Sequence, residues 1–300
     1  MATAIASIAQ LSKTIGQHQI LTDINFEIPQ GKIVGLIGAN GAGKTTIMKA
    51  MLGITAFTGN IQIDGGPITT AQHRTLAHVG ALIEYPGLYP YLTARQQLQL
   101  YATGPSTASK AAKVQTIIEQ FQMTSYADTK TKKFSLGMKQ KLGVALAFLN
   151  EPDLIVLDEP LNGLDPRATK HLRDLILAAK ARGVSFLISS HLLVELQKVA
   201  DEVVIIDHGR VIKATTMANL LAQAQPYYVI KTTDDAAARA VLTAGKFPVL
   251  AGPQLKLAKT DVPLNAALAQ LLAADCQILD ISRPTGDLEA SLLAVLSAEH

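Results

Sequence analysis

The sequence has little of what would place it quickly. It holds one cysteine, Cys276, so no disulfide framework can form within the chain and a reducing compartment is expected. No apolar run approaches the ~18 residues needed to cross a bilayer. The longest, such as 142–149, have the length of core segments. The first ten residues have no basic patch followed by an apolar stretch, so no signal peptide is expected. Charged residues make up 17% and the formal net charge is +3, too mild to argue for nucleic acid. Residues 1–216 carry 21 Lys and Arg against 16 Asp and Glu, and the remainder 6 against 8. That balance suits an anionic ligand in the first part without requiring one. No internal repeat or low-complexity tract is present. The chain should be soluble by itself, with any membrane role exercised through a partner. With 48% hydrophobic residues over 300 positions, it is globular and long enough for one large or two ordinary domains.

What is present is a phosphate-binding loop. The apolar run 33–37 leads into Gly38-Ala39-Asn40-Gly41-Ala42-Gly43-Lys44-Thr45-Thr46, and residues 47–52 read as a helix. Strand, glycine-rich loop and helix form the context such a loop needs. Glycines let the backbone curl so that successive N–H groups point at one anion, and the helix N-terminus adds partial positive charge. Lys44 has the length to reach β- and γ-phosphates, and Thr45 offers a hydroxyl for Mg²⁺.

Around this loop the chain reads in order. A strand pair lies within 5–28, and strands are expected at 61–66 and 79–84, before Pro86, Gly87 and Pro90 break the chain. From Thr93 to Leu149 the character is helical, with Thr93 and Ser106 as N-caps and an interruption at 135–137. Alternation then resumes: strand 154–157, helix 166–182, strand 184–189, helix 192–199 and strand 203–207. Buried apolar strands separated by helices predict a parallel sheet covered on both faces, with the helical block inserted between its strands. Residues 227–281 then read βαββαβ, with a further helix at 287–296, which predicts a small ferredoxin-like α+β domain. The fold class is therefore α/β, a P-loop core of 1–216 with a helical subdomain at about 88–150, plus an accessory α+β domain at 217–300.

The second strong signal is Leu154-Ile155-Val156-Leu157-Asp158-Glu159-Pro160. An apolar strand ending in two acids puts carboxylates at the sheet edge beside the phosphate loop. Asp158 there can hold Mg²⁺ through water, and Glu159 can polarise an attacking water. Four lesser motifs follow a fixed order: Glu84 ends a strand, Phe134-Ser135-Leu136-Gly137-Met138-Lys139-Gln140 opens a helix, Asn162-Gly163-Leu164-Asp165 follows the acids, and Ser189-Ser190-His191 ends a later strand.

This order resembles the ATP-binding-cassette (ABC) ATPases over residues ~5–215. The resemblance implies two copies facing head to tail around two ATP molecules. Ser135, Gly137 and the helix N-terminus behind them would then contact the γ-phosphate held by the other copy. It further implies that His191 contacts the γ-phosphate and orients water, and that Asp165 sits at the seam, while also serving as an N-cap before Pro166. Three departures stand out. Phe134, Leu136 and Met138 replace three of five residues in the family's Leu-Ser-Gly-Gly-Gln run. Glu84 stands where a glutamine is usual, adding charge near the phosphates and a hard ligand for Mg²⁺. Ile15 stands where an aromatic residue usually stacks on adenine. The run 80–86, Gly-Ala-Leu-Ile-Glu-Tyr-Pro, resembles the subgroup linked to bacitracin resistance and lantibiotic self-immunity, and the last domain, with Gly286-Asp287-Leu288-Glu289, resembles that subgroup's C-terminal extensions.

The expectation is an ATP-hydrolysing subunit that works with a separate membrane permease, exporting an antimicrobial peptide or drug. It would sit in the cytoplasm, on the inner face of the membrane through that permease. The rivals are a soluble ABC protein acting on ribosomes or DNA, a weakly hydrolysing regulatory module, and an importer.

Overall fold

The computed structural model describes residues 3–190, 193–222, 227–259 and 264–282. The chain divides into two compact units, Met1–Met217 and Ala218–His300.

The first unit contains two sheets. Strands β1 (Ala4–Ile15) and β2 (His18–Pro29) pair antiparallel through a tight turn, and β1 also pairs with β4 (Thr58–Ile63), which β5 (Gly66–Pro67) extends. Their alternating residues Ile5, Leu21, Ile24, Ile28 and Ile61 enter one core with Ile47, Met48 and Met51 of helix α1 (Lys44–Met51). A period-two pattern with one buried face is what an antiparallel sheet requires.

The second sheet has the order β10-β9-β3-β8-β7-β6: β3 is Ile33–Ile37, β6 Val79–Leu82, β7 Leu154–Leu157, β8 Ser185–Ser189, β9 Glu202–Asp207 and β10 Arg210–Thr216. From β9 to β6 all pairs are parallel. Every residue of β3, β7 and β8 is buried, as expected of strands covered on both faces. Adjacent β6 and β7 are separated in sequence by α2 (Ala94–Tyr101), α3 (Thr107–Gln120) and α4 (Leu136–Phe148), so the helical block is an insertion between neighbouring strands. Thr93 caps α2 through a capping box with Gln96, and Ser106 caps α3. Helix α5 (Pro166–Ala181) links β7 to β8, and α6 (Leu193–Leu196) precedes β9. The short α7 (Met217–Ala222) follows β10, starting at the last residue of the first unit and otherwise belonging to the second.

Strand β10 was not anticipated. It pairs antiparallel with β9 across His208-Gly209, both at positive φ (42° and 73°), the geometry of a two-residue hairpin turn.

The second unit consists of β11 (Tyr227–Thr232), α8 (Asp235–Ala244), β12 (Val249–Leu250), β13 (Lys256–Ala258), α9 (Leu264–Ala273) and β14 (Ile278–Ser282). The sheet order β12-β13-β11-β14, all antiparallel, is that of a ferredoxin-like βαββαβ domain, as expected. Ile230, Leu242, Leu257, Ala267 and Leu271 form its core. The helix expected at 287–296, with Gly286 to Glu289, lies outside the described residues.

Candidate functional site: a phosphate loop and its carboxylates

Three parallel strands end side by side, and the candidate site lies at their carboxyl edge, where open α/β sheets bind ligands. From β3 the chain turns through the glycine loop into α1. Gly43 sits at φ 107°, and a Cβ there would lie 2.5 Å from Leu21 Cδ2, so both the turn and the packing demand glycine. Ile15, Ile20, Asn40, Gly41, Gly43, Lys44, Thr45, Thr46, Asp158 and Glu159 line a pocket of about 360 Å³ at the helix N-terminus. Ile15, from the far end of β1, is thus brought to the loop, and it is more than half exposed. Gly38 and Ala42 belong to the same turn, which the Ala42 N–H closes onto the Ala39 carbonyl (3.1 Å).

Lys44 is buried at 7% exposure, and its Nζ donates to the carbonyls of Gly38 (2.7 Å) and Ala39 (3.1 Å). The ammonium is therefore held at the loop by two carbonyl dipoles, ready to exchange them for a stronger anionic acceptor. Asp158 is 4% exposed and receives two hydroxyl hydrogen bonds: Thr45 Oγ1 donates to Oδ2 (2.7 Å), and Ser189 Oγ donates to Oδ1 (2.6 Å). A buried carboxylate needs such donors. Ser189 also accepts from the Glu159 N–H (2.9 Å), tying the ends of β7 and β8 together. Sequence reasoning noted Ser189 only as part of its motif; its signal was a hydroxyl directly after the apolar run Phe186-Leu187-Ile188.

Glu159 has φ 48° and Glu84 φ 59°, both left-handed, at the ends of adjacent strands β7 and β6. Non-glycine residues hold such angles only where their surroundings fix them. Glu84 does not line the loop pocket. Its Oε1 is 2.6 Å from Lys49 Nζ on the last turn of α1, an ion pair that sequence reasoning missed. His191 lies outside the described residues.

The remaining expected residues form a second pocket of about 350 Å³, lined by Tyr126, Ser135, Leu136, Gly137, Met138, Lys141, Gly163, Leu164, Asp165 and Ala168. Ser135 caps α4 by accepting from the Met138 N–H (3.2 Å), and Asp165 caps α5 by accepting from Ala168 N–H (2.8 Å). Tyr126 stands edge-on to Phe134, and burial pushes its phenol up to about 12. The structure therefore brings Ile15, the loop, Asp158 and Glu159 together, and Ser135, Gly137 and Asp165 together elsewhere.

Among the described residues no group of three or more His, Cys, Asp or Glu side chains converges as a metal cluster. The Thr45 hydroxyl and Asp158 carboxylate are hard oxygen donors side by side at the loop, which fits a Mg²⁺ that takes most of its ligands from phosphate and water. Glu84, also expected as a ligand, is engaged by Lys49 and fits that role only after exchanging partners.

A largely parallel sheet with this loop after β3 and an acid-ended strand, β7, two places along defines a P-loop nucleotide-binding protein. Its residues 21–162 match the family model described as ABC transporter. The chain is 33% identical to an uncharacterised ABC transporter ATP-binding protein, YcbN, of Bacillus subtilis (strain 168), over 98% of each chain. It is 36% identical to the bacitracin transport ATP-binding protein BcrA of Bacillus licheniformis, over 77% of this chain and 76% of that one. A solved ATP-binding subunit of an ABC transporter superposes with TM-score 0.67 at 32% identity, covering 73% of this chain and 92% of its own. The chain belongs to the ABC transporter ATP-binding proteins and is an ATPase. No helix among the described residues is long and apolar enough to cross a membrane.

Proposed function

We propose that this ATPase works as a head-to-tail pair that closes around two ATP molecules and drives a separate integral-membrane permease. The observation that carries this reading is the split between the two pockets. The loop pocket has groups to hold a triphosphate on one side only. The second pocket offers a helix N-terminus, the Ser135 hydroxyl, the Gly137 N–H and the Lys141 ammonium, all suited to an anion. Each pocket supplies what the other lacks, and one copy's second pocket would complete the other copy's loop pocket.

Within that pair Lys44 leaves the Gly38 and Ala39 carbonyls for the β- and γ-phosphates, and the loop N–H groups of Asn40 to Thr46 cradle them. Thr45 and Asp158 would hold Mg²⁺, which when bound offsets phosphate charge. Glu159 accepts the proton of the attacking water as it approaches the γ-phosphate, and His191 orients that water. Ile15 covers the adenine by apolar contact. Asp165 fixes the start of α5 at the seam between copies.

Coupling runs through the segment after Glu84, where Tyr85 and Tyr91 are strongly exposed between β6 and the helical block. In this reading a cytoplasmic helix of the permease docks there and holds the protein at the inner face of the membrane. The similarity to BcrA supports export of an antimicrobial peptide or drug. The test is co-expression with neighbouring membrane proteins. A permease should co-purify, and its presence should raise ATP turnover. ATP turnover insensitive to every such partner would favour a soluble ABC protein.

A further inference from the structure

One buried polar side chain has no part in the reading above. Gln140, on the second turn of α4, is 5% exposed, and its Nε2 donates to the backbone carbonyl of Glu159 (3.2 Å). That carbonyl belongs to the residue with φ 48°, whose N–H is held by Ser189 Oγ. Glu159 is thus gripped on both sides of its Cα by side chains from different elements, β8 and α4. The same helix makes a second contact with this segment. A Cβ at Gly137 would stand 2.8 Å from the Gly163 carbonyl, and a Cβ at Gly163 would stand 2.9 Å from Leu136 Cδ2, so the first turn of α4 lies directly on the loop 162–165. Two anchors three residues apart on one helix fix α4 and residues 159–165 as a single body.

We propose that Gln140 is a positioning residue for Glu159: its amide holds the left-handed backbone that aims the carboxylate, and it links that carboxylate to Ser135 at the start of the same helix. The inference rests on Glu159 being the general base and on Ser135 facing the other copy's nucleotide. Contact of Ser135 with that nucleotide would then be felt by Glu159 of its own chain through five residues of rigid helix. A left-handed glutamate without this hydrogen bond relaxes toward ordinary backbone angles, carrying its carboxylate away from the water. Nothing in this link touches Lys44 or the glycine loop, so nucleotide affinity should be spared.

The experiment is steady-state ATP turnover and fluorescent-ATP binding with the full chain carrying Gln140→Leu or Gln140→Glu. Both keep the side chain's size, and both remove the N–H donor. The expected result is a kcat at least about tenfold lower, the scale of a displaced catalytic group, with ATP affinity within about twofold of the parent and an unchanged melting temperature. Combined with Glu159→Gln, neither should lower the residual rate further, because the group being positioned is already gone. A parental kcat in a folded Gln140 variant overturns the inference, as does a kcat loss that only follows weakened ATP binding or lowered melting temperature. Should Glu159→Gln itself turn over ATP at the parental rate, the general-base reading falls first, a different result from an inert Glu159→Gln beside a fully active Gln140→Leu.

Discussion

The loop pocket and the second pocket are of nearly equal size, about 360 and 350 Å³, yet they are built on opposite plans. In the loop pocket the polar groups are already bonded to one another: Lys44 to two carbonyls, Thr45 and Ser189 to Asp158. It is preorganised, and its hydrogen bonds are ready to be exchanged for those of a phosphate. In the second pocket the hydroxyl and carboxylate serve as helix caps, and the N-termini of α4 and α5 supply the field. One site is organised by strand ends and the other by helix starts. If the second pocket completes another copy's loop pocket, as proposed, binding and completion are separable and substitutions should divide accordingly.

The largest effect should come from the loop side. Lys44→Ala should lower ATP turnover by on the order of 10²–10³-fold, the scale for losing a preorganised charge contact, and should weaken nucleotide binding in a fluorescence titration. Next is Glu159→Gln, which should cut kcat by roughly 10²–10⁴-fold, as for loss of a general base, while ATP binding persists. Unequal losses in binding between these two would sharpen the comparison, because only Lys44 is assigned to affinity. On the second side, Ser135→Ala should reduce kcat about tenfold, one contact of several at that pole, without changing the affinity of the isolated chain for ATP. It should also cost about 1 kcal/mol of stability through the lost cap of α4, read by denaturant unfolding.

Smaller effects belong to the ion pairs. Lys49→Met removes a partner from a half-exposed Glu84 and should change stability by less than about 1 kcal/mol. Glu195 is held below the usual carboxylate range first by its hydrogen bond from Lys198, which burial opposes, and then by the charges of Lys198 and Arg173. A depressed folded value means that this stabilisation is complete above the unfolded value, about 4.3, and is lost as the pH falls through the folded one. Glu195→Gln should therefore flatten the acid limb of a melting-temperature profile and leave the profile above pH 6 parallel to the parent's.

Contiguous motifs were the legible part of the sequence. The loop at 38–46, the acids at 158–159 and the βαββαβ order of the last unit each occupy consecutive residues whose period and punctuation carry their meaning. Strand β10 was missed because its residues alternate weakly and are mostly half-exposed, although His208-Gly209 marked a hairpin turn. The partners within the site could not be read at all. Gln140 reaches Glu159 across 19 residues, Ser189 reaches Asp158 across 31, and Lys49 reaches Glu84 across 35. Those meetings follow from β8 lying beside β7 and from α4 lying beside the turn after β7, which only the assembled sheet and its inserted helices determine. The same distinction explains Glu84. Its identity was visible as a departure, but its ion pair with Lys49 of α1 was not.

The central claim is that each nucleotide is held by one copy and closed over by another. It is tested most directly by the solution mass of the Glu159→Gln variant with saturating ATP, measured by sedimentation. The account predicts twice the mass of the single 31.9 kDa chain, returning to the single mass when Ser135→Arg is added although ATP remains bound. A Glu159→Gln chain that binds ATP fully and still sediments as one chain would contradict it.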